Sequence, residues 1–390
     1  MRPRGSAKFL AGQCMERRAS LPSILLLDGG GKRHYVGRLG GNSIRCSMER
    51  LHGLDLVRGL CAISVMIYHV LTWTKVATID AMGTFGVYIF FVLSGCSLGY
   101  AYGRAPFGDQ GLRDFFIARA FRIIPLYGAV VLLNYLQRGS DLSLVLLNVT
   151  LLFGFTNPGA TSLPTGGWSI GIEAVFYVLF PILMLFRNVY ALAGVVAASI
   201  LINQLYVPLT LTKPFVDDHW NYYTQPVTFL CYFAGGVLIS RIIIEKRWES
   251  VGVAAVLVFL AGMFLLPEIA GLSRNEIISG PVSLVMILAS IAVVALAAHI
   301  SMPQAYVGVS KFLGDISYSV YLLHPFVYLY AVKIAAGVSP FLVLGITAVA
   351  SIVLSKLVYI FLEKPARDLQ FRFRSPRPAV VRDGGVVSHT

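Results

Sequence analysis

Arg58 and His69 lie eleven residues apart in a stretch, Leu54 to Trp73, that is otherwise mostly apolar. Eleven residues make about three helical turns, so the two side chains share one face and sit about 16 Å apart along it. An ionisable group near the centre of a membrane helix costs about 2.5–3.5 kcal/mol on insertion scales, which makes both residues functional candidates. A neutral imidazole takes up and returns a proton near physiological pH, so His69 is the natural acid/base group. A purely structural account has Arg58 snorkelling to the interface and His69 bonded to a neighbouring helix. A second set is Trp168, Ser169, Glu173 and Tyr177, whose last three members recur every four residues as a polar stripe on one helix face. The depth reading puts Glu173 about level with His69 and opposite it. Arg119 and Arg122, three residues apart and followed by Pro125 and Tyr127, point the same way from a helix. Guanidinium groups in that arrangement suit a phosphate-bearing donor, and equally a lipid headgroup. Ser317, Tyr321 and His324, at i, i+4 and i+7, form a second polar stripe. His324 is either a second acid/base group or a structural hydrogen-bonding residue at the kink of Pro325.

The elements that must hold these groups are membrane helices. The chain of 390 residues is 56% hydrophobic and 13% charged, against about 25% charged in soluble domains, which is too little to cover a water-exposed surface. Apolar runs of about 17 to 23 residues match the length of helix that crosses about 30 Å of hydrocarbon. The expected fold is all-α, a polytopic membrane helix bundle of about ten transmembrane helices plus one short or re-entrant helix. Candidate spans are 54–73, 83–103, 122–137, 141–157, 168–187, 189–207, 223–241, 250–267, 279–299, 316–336 and 340–362. If 141–157 does not cross, Arg104, Arg113, Arg119, Arg122, Arg187, Arg241, Lys246, Arg247 and Lys311 fall on one side with both termini, as the positive-inside rule requires. The same rule accounts for the net charge of +13 without nucleic acid.

Residues 1–47 are read as an extension without regular structure, residues 48–365 as the membrane domain, and 366–390 as a basic cytoplasmic tail suited to anionic lipids. Met48 is a candidate start of translation. The Gly29–Arg33 string lacks the flanking residues of a phosphate loop. Cys61, Cys96 and Cys231 sit in apolar runs without metal-ligand spacing, so no metal is expected. Gly95, Gly99 and Gly103 point to close helix packing. The loop 208–223, with Asp217, Asp218, His219, Trp220, Tyr222 and Tyr223, reads either as a sugar-binding surface or as an interfacial aromatic belt.

Taken in order, these motifs resemble the acyltransferase-3 family, bacterial integral-membrane O-acyltransferases that modify polysaccharides, peptidoglycan, lipid-linked sugars and some macrolides. The resemblance runs from about Leu51 to Pro365. It rests on Leu54-Asp55-x-x-Arg58-Gly59 with His69, Gly86 through Ser94-Gly95, Arg119-x-x-Arg122-Ile-x-Pro125-x-Tyr127, and Trp168-Ser169-x-x-x-Glu173-x-x-Phe176-Tyr177. Ser317-Tyr318-x-x-Tyr321-Leu-x-His324-Pro325 and the closing Glu363-x-Pro365 complete it. Tyr88 stands where many relatives carry an acidic residue, which removes any role for a carboxylate there.

The resemblance implies transfer of an acyl group, commonly acetyl, from cytoplasmic acyl-CoA as co-substrate to a hydroxyl of a carbohydrate or glycan-type acceptor, in the bacterial inner membrane and with no bound cofactor. It also implies that His69, Glu173 and Arg58 belong to the active site, and that Arg119 and Arg122, with Tyr127, bind the donor. Trp168, Ser169, Tyr177, Ser317, Tyr321 and His324 support them. His69 is then general base, or the nucleophile of an acyl-histidine, with Glu173 orienting the ring. A transporter or flippase of a lipid-linked sugar, with the polar stripes lining its pathway, is the competing function. Membrane lipids are the remaining expected partners, and the oligomeric state is open.

Overall fold

The computed structural model describes residues 24–27, 33–39, 42–47, 50–103, 107, 109–211, 219–245, 252–335 and 339–374. Met48, Arg104, Asp217, Asp218, Lys246, Arg247 and the tail beyond 374 lie outside the described residues, as does the Gly29–Arg33 string apart from Arg33. The chain divides into two units, Met1–Leu51 and His52–Thr390.

In the first unit, β1 (Ile24–Leu27), β2 (Arg33–Leu39) and β3 (Asn42–Ser47) pair antiparallel in the order β1-β2-β3. Leu27 stands opposite Arg33 and Leu39 opposite Asn42. Sequence periodicity assigned no regular structure to residues 1–47, and over these strands the structure differs. A helix-length window passes over two local signals: the extended-favouring His34-Tyr35-Val36, and a Gly-Gly pair at 40–41 of the kind that joins hairpins.

The second unit is helical. Its long helices are α1 (His52–Trp73), α2 (Asp80–Tyr102), α3 (Asp109–Arg138), α4 (Gly167–Leu183) and α5 (Val189–Thr210). They continue with α6 (Pro226–Glu245), α7 (Val253–Ile269), α8 (Gly280–Ala298), α9 (Gln304–Ile334) and α10 (Pro340–Val358). Among the described residues, 7 helical stretches are long and apolar enough to cross a membrane. Two others, α4 and α7, are apolar but have 17 residues each. The 31-residue α9 carries Lys311, Asp315 and Lys333. Length and apolarity together therefore pick out 7 stretches where the apolar runs in the sequence suggested about ten.

The expected short segment at 141–157 breaks up. Asp141 caps a helix of 8 residues, Leu142–Val149, by accepting from Ser143 N. At about 1.5 Å per residue that helix spans about 12 Å, well short of a bilayer. Leu151 adopts φ 62°, which ends the helix, and a 3-10 turn follows at Leu152–Phe155.

Close backbone contact sets the positions of α1, α2, α6 and α9. A Cβ placed on Gly95 would lie 2.1 Å from Phe233 O, and one on Gly236 would lie 2.1 Å from Val92 O, so α2 and α6 touch through these glycines. The packing role expected for Gly95 and Gly99 holds, since a Cβ on Gly99 would meet Ser240 Oγ at 1.9 Å. Between α1 and α9, Gly59 faces Leu313, Gly314 faces Asp55, and Ser310 Oγ donates to His52 O. From the His52–Ser310 contact to the His69–His324 contact the residue numbers rise on both helices, so α1 and α9 run in the same sense. In lipid, where apolar burial does not drive helices together, such contacts set the geometry.

Gly236→Val is expected to lower stability by about 1–3 kcal/mol, the scale of overpacking a tight contact. Thermal melting of the detergent-purified protein checks this, and an unchanged melting temperature would show that α2 and α6 do not touch as described.

Candidate active site

The parallel packing of α1 and α9 sets two imidazoles against each other. His69 Nδ1 and His324 Nε2 are 2.9 Å apart, and the rings stack with centroids at 5.1 Å and planes at 15°. The other nitrogen of His324, Nδ1, lies 3.0 Å from Val320 O. A carbonyl oxygen only accepts, so Nδ1 of His324 carries the proton and Nε2 of the neutral ring is an acceptor. His69 must then donate from Nδ1, which leaves a lone pair on its Nε2. Trp73 covers the ring of His69, with centroids 4.9 Å apart and planes at 6°. One face of the ring is thereby covered.

His69 lines a cavity of ≈ 340 Å³ together with Tyr68, Trp168, Trp220, Arg274 and Tyr321. Tyr321 OH bonds Ser169 Oγ at 2.8 Å and Gly166 O at 3.0 Å. Gly166 has φ 77°, which suits glycine, and it precedes the first turn of α4. Arg274 Nη2 donates to Tyr68 OH at 2.7 Å, and its Nε lies 3.3 Å from Asp80 Oδ1. Tyr68 in turn donates to the same Asp80 oxygen at 3.3 Å.

A second polar cluster lies farther along the same helices. Glu173 Oε1 accepts from Ser94 Oγ and from Tyr177 OH, both at 2.7 Å. The guanidinium of Arg119 sits over the Tyr177 ring at 5.7 Å and the Phe115 ring at 6.0 Å. Arg58 Nη2 donates to Ser97 Oγ at 2.8 Å, one turn beyond Ser94, and Nη1 lies 3.7 Å from Asp55. Arg122 lies one turn beyond Arg119 on α3. Glu363 itself is 4% exposed and accepts from Ser319.

The expected pairing of His69 with Glu173 is corrected by this geometry. The partner of His69 is His324, and among the described residues no hydrogen bond joins His69 to Glu173. Gly83 packs against Tyr68, next to His69, whereas Ser94 is eleven residues further along α2, about 16 Å away in depth. The level expected for Glu173 requires the fourth long helix to begin at the membrane surface. In fact α4 begins inside the bundle, because Gly166 is bonded to Tyr321, one turn below His324. Glu173 and the three arginines are likewise not among the residues lining the cavity.

Tyr127, on the same helix as Arg119 and Arg122, is engaged by a third group. Its hydroxyl donates to Asn148 Oδ1 at 2.9 Å. Asn148, fully buried, also accepts from Leu163 N at 3.1 Å and donates to Leu144 O and Thr161 O. The pair therefore pins the segment that leads to the cavity. Ser317 donates to Gly314 O in its own helix at 3.0 Å. Of the loop 208–223, Trp220 and Tyr223 line the cavity while Tyr222 is exposed. Sequence reasoning named Ser94 only as part of a motif and missed Trp73, Asp80, Arg274, Ser97 and Asn148. Asp80 and Arg274 stand at helix ends, where a charge is unremarkable, and an asparagine or serine gives no signal without its partner.

A family model described as an acyltransferase domain, Acyl_transf_3, matches residues 51–360. The chain belongs to this acyltransferase family. It is 27% identical over 307 residues to the exopolysaccharide production protein ExoZ of Rhizobium meliloti, covering 73% of this chain and 89% of that one. It is 26% identical over 373 residues to YrhL of Bacillus subtilis, provisionally named a peptidoglycan O-acetyltransferase, covering 85% of this chain and 57% of that one. A provisionally named O-acetyltransferase of Staphylococcus aureus is 24% identical over 382 residues, with coverage of 86% and 60%. The chain thus spans under two thirds of the latter two relatives. No solved structure matches it. With its helices of membrane-crossing length, the protein is a membrane acyltransferase.

Asn148→Ala is expected to leave Tyr127 OH and Leu163 N unpaired, at about 1–3 kcal/mol for each buried group. A melting temperature unchanged from wild type would contradict the pinning role.

Proposed function

We propose that this acyltransferase uses acyl-CoA, with acetyl as the acyl group, and that its acceptor is a carbohydrate. The observation that supports the reading best is the pair of rings in which His69 keeps a lone pair on Nε2 beside a cavity, while His324 takes the hydrogen bond from Nδ1. In the proposed reaction His69 Nε2 removes the proton of the acceptor hydroxyl as the oxygen attacks the thioester carbonyl carbon. The C–S bond then breaks, and the proton on Nε2 passes to the departing thiolate. His324 is a positioning residue in this scheme. Its Nε2 fixes the tautomer of His69 and supports the charge on the imidazolium, as a carboxylate does in hydrolase triads.

The donor end is assigned to the second cluster. Arg119 and Arg122 would bind the donor phosphates with Arg58 nearby, and the uncharged pantetheine arm would pass along α2 and α9 toward His69. Glu173, bonded to Tyr177 under Arg119, would position that arginine and would not touch the base. Ten spans, both termini in the cytoplasm, a bacterial inner-membrane location and a membrane domain of residues 48–365 complete the proposal. α4, α7 and α9 would be the spans added to the 7 apolar stretches.

His69→Ala is expected to lower transfer by about 10²–10⁴-fold, the usual range for a general base, in protein that still purifies folded. His324→Ala should lower kcat more than it raises KM and should alter the pH–rate profile. Release of free thiol from acetyl-CoA by purified protein and a glycan acceptor is the assay. Full activity in His69→Ala removes His69 from the chemistry, and substrate movement without thiol release favours transport instead.

Arg119→Ala and Arg122→Ala are expected mainly to raise the KM for acyl-CoA. Initial rates against donor concentration read this directly. An unchanged donor KM with a raised acceptor KM would reverse the assignment of the two ends.

A further inference from the structure

The cavity beside His69 has a built wall that the reaction scheme leaves unused. Trp168 and Trp220 both line it, with ring centroids 5.3 Å apart and planes at 80°, so together they offer one aromatic face and one edge. Gly159 makes room for this pair, since a Cβ there would lie 3.0 Å from Trp220 Cδ1. Tyr68 and Arg274 line the same cavity. They are held by Asp80 in a closed triangle of contacts: Arg274 to Tyr68 at 2.7 Å, Arg274 to Asp80 at 3.3 Å, and Tyr68 to Asp80 at 3.3 Å.

Three features restrict what this wall can recognise. Aromatic surface suits the flat C–H face of a pyranose ring, and a few fixed hydrogen-bonding groups suit its hydroxyls. Asp80 balances the charge of Arg274 at short range, so the wall presents hydrogen-bonding groups with little net charge. An anionic ring would meet a guanidinium already neutralised, with a carboxylate directly behind it. Finally, ≈ 340 Å³ is near the lower end of small-molecule pockets, which run from roughly 300 to 1,000 Å³. That is room for one ring and little more.

We infer that Trp168, Trp220 and the Tyr68–Asp80–Arg274 triangle form the acceptor subsite, built for a single uncharged sugar ring whose hydroxyl faces His69. The inference rests on the proposal that the acceptor is a carbohydrate, and it adds the residues that select among carbohydrates. Asp80 is the discriminating residue because it cancels the one cationic side chain among the described lining residues.

The test is direct binding without donor. Purified full-length protein in detergent is titrated with the methyl glycosides of glucose, galactose, mannose and N-acetylglucosamine, with methyl glucuronide, and with coenzyme A, following tryptophan fluorescence. At least one neutral glycoside should bind saturably, and at least tenfold more tightly than the glucuronide. Trp220→Ala should weaken that glycoside by tenfold or more. Asp80→Asn, by uncovering Arg274, should reverse the preference toward the glucuronide, and Tyr68→Phe is the milder variant if Asp80→Asn does not fold. The inference is overturned if no neutral glycoside binds, if the glucuronide binds wild type equally well, or if coenzyme A displaces the glycoside. Saturable glycoside binding without thiol release from acetyl-CoA would support the subsite while counting against the proposed donor.

Discussion

The hydrogen bond between the rings of His69 and His324 is the constraint around which this bundle is organised. Two imidazoles can meet at 2.9 Å only if the helices carrying them approach closely and in fixed register. That register comes from small residues elsewhere on the same two helices, Gly59 against Leu313 and Gly314 against Asp55. A polar pair so placed also holds the helices in rotation, because in hydrocarbon an imidazole turned away from its partner finds no water to replace it. Packing and chemistry are therefore one requirement here.

The bundle separates its polar groups into two levels. Near His69 lie neutral hydrogen-bonding groups and the Asp80–Arg274 pair. Farther along the same helices lie Arg58, Arg119 and Glu173, each engaged with a serine or an aromatic ring. Such a division suits a reaction with two substrates of different charge, one rich in phosphate and one uncharged. Among the described residues lining the cavity beside His69, the one guanidinium is that of Arg274, paired with Asp80.

Much of this was readable from the chain alone, for definite reasons. Apolar runs mark membrane helices because lipid tolerates little else, and Arg58, His69, Glu173 and His324 stood out as expensive residues in that solvent. The partner of His69 was not readable. Helical spacing tells which residues of one helix share a face, but not which helix that face meets. The depth of Glu173 was misjudged because the segment before α4 turns back into the bundle, with Asn148 holding it in place. Nothing in a lone asparagine between leucine and valine signals four simultaneous hydrogen bonds. Asp80 and Arg274 escaped notice for a related reason. They are separated by nearly two hundred positions and stand at helix ends, where charge is ordinary.

Beyond α10 the helix widens for one turn, Tyr359–Glu363, into the π form. A π turn takes in an extra residue, so everything after it is rotated relative to a straight continuation. Glu363 is thereby turned inward onto Ser319. Downstream, Phe373 stacks on Phe121 of α3 with centroids 5.4 Å apart, and its carbonyl accepts from Arg113. The last described residues thus brace the helix that bears Arg119 and Arg122 from behind. This segment beyond α10 acts as a buttress, so the seating of those guanidinium groups depends on residues far later in the sequence than the arginines themselves.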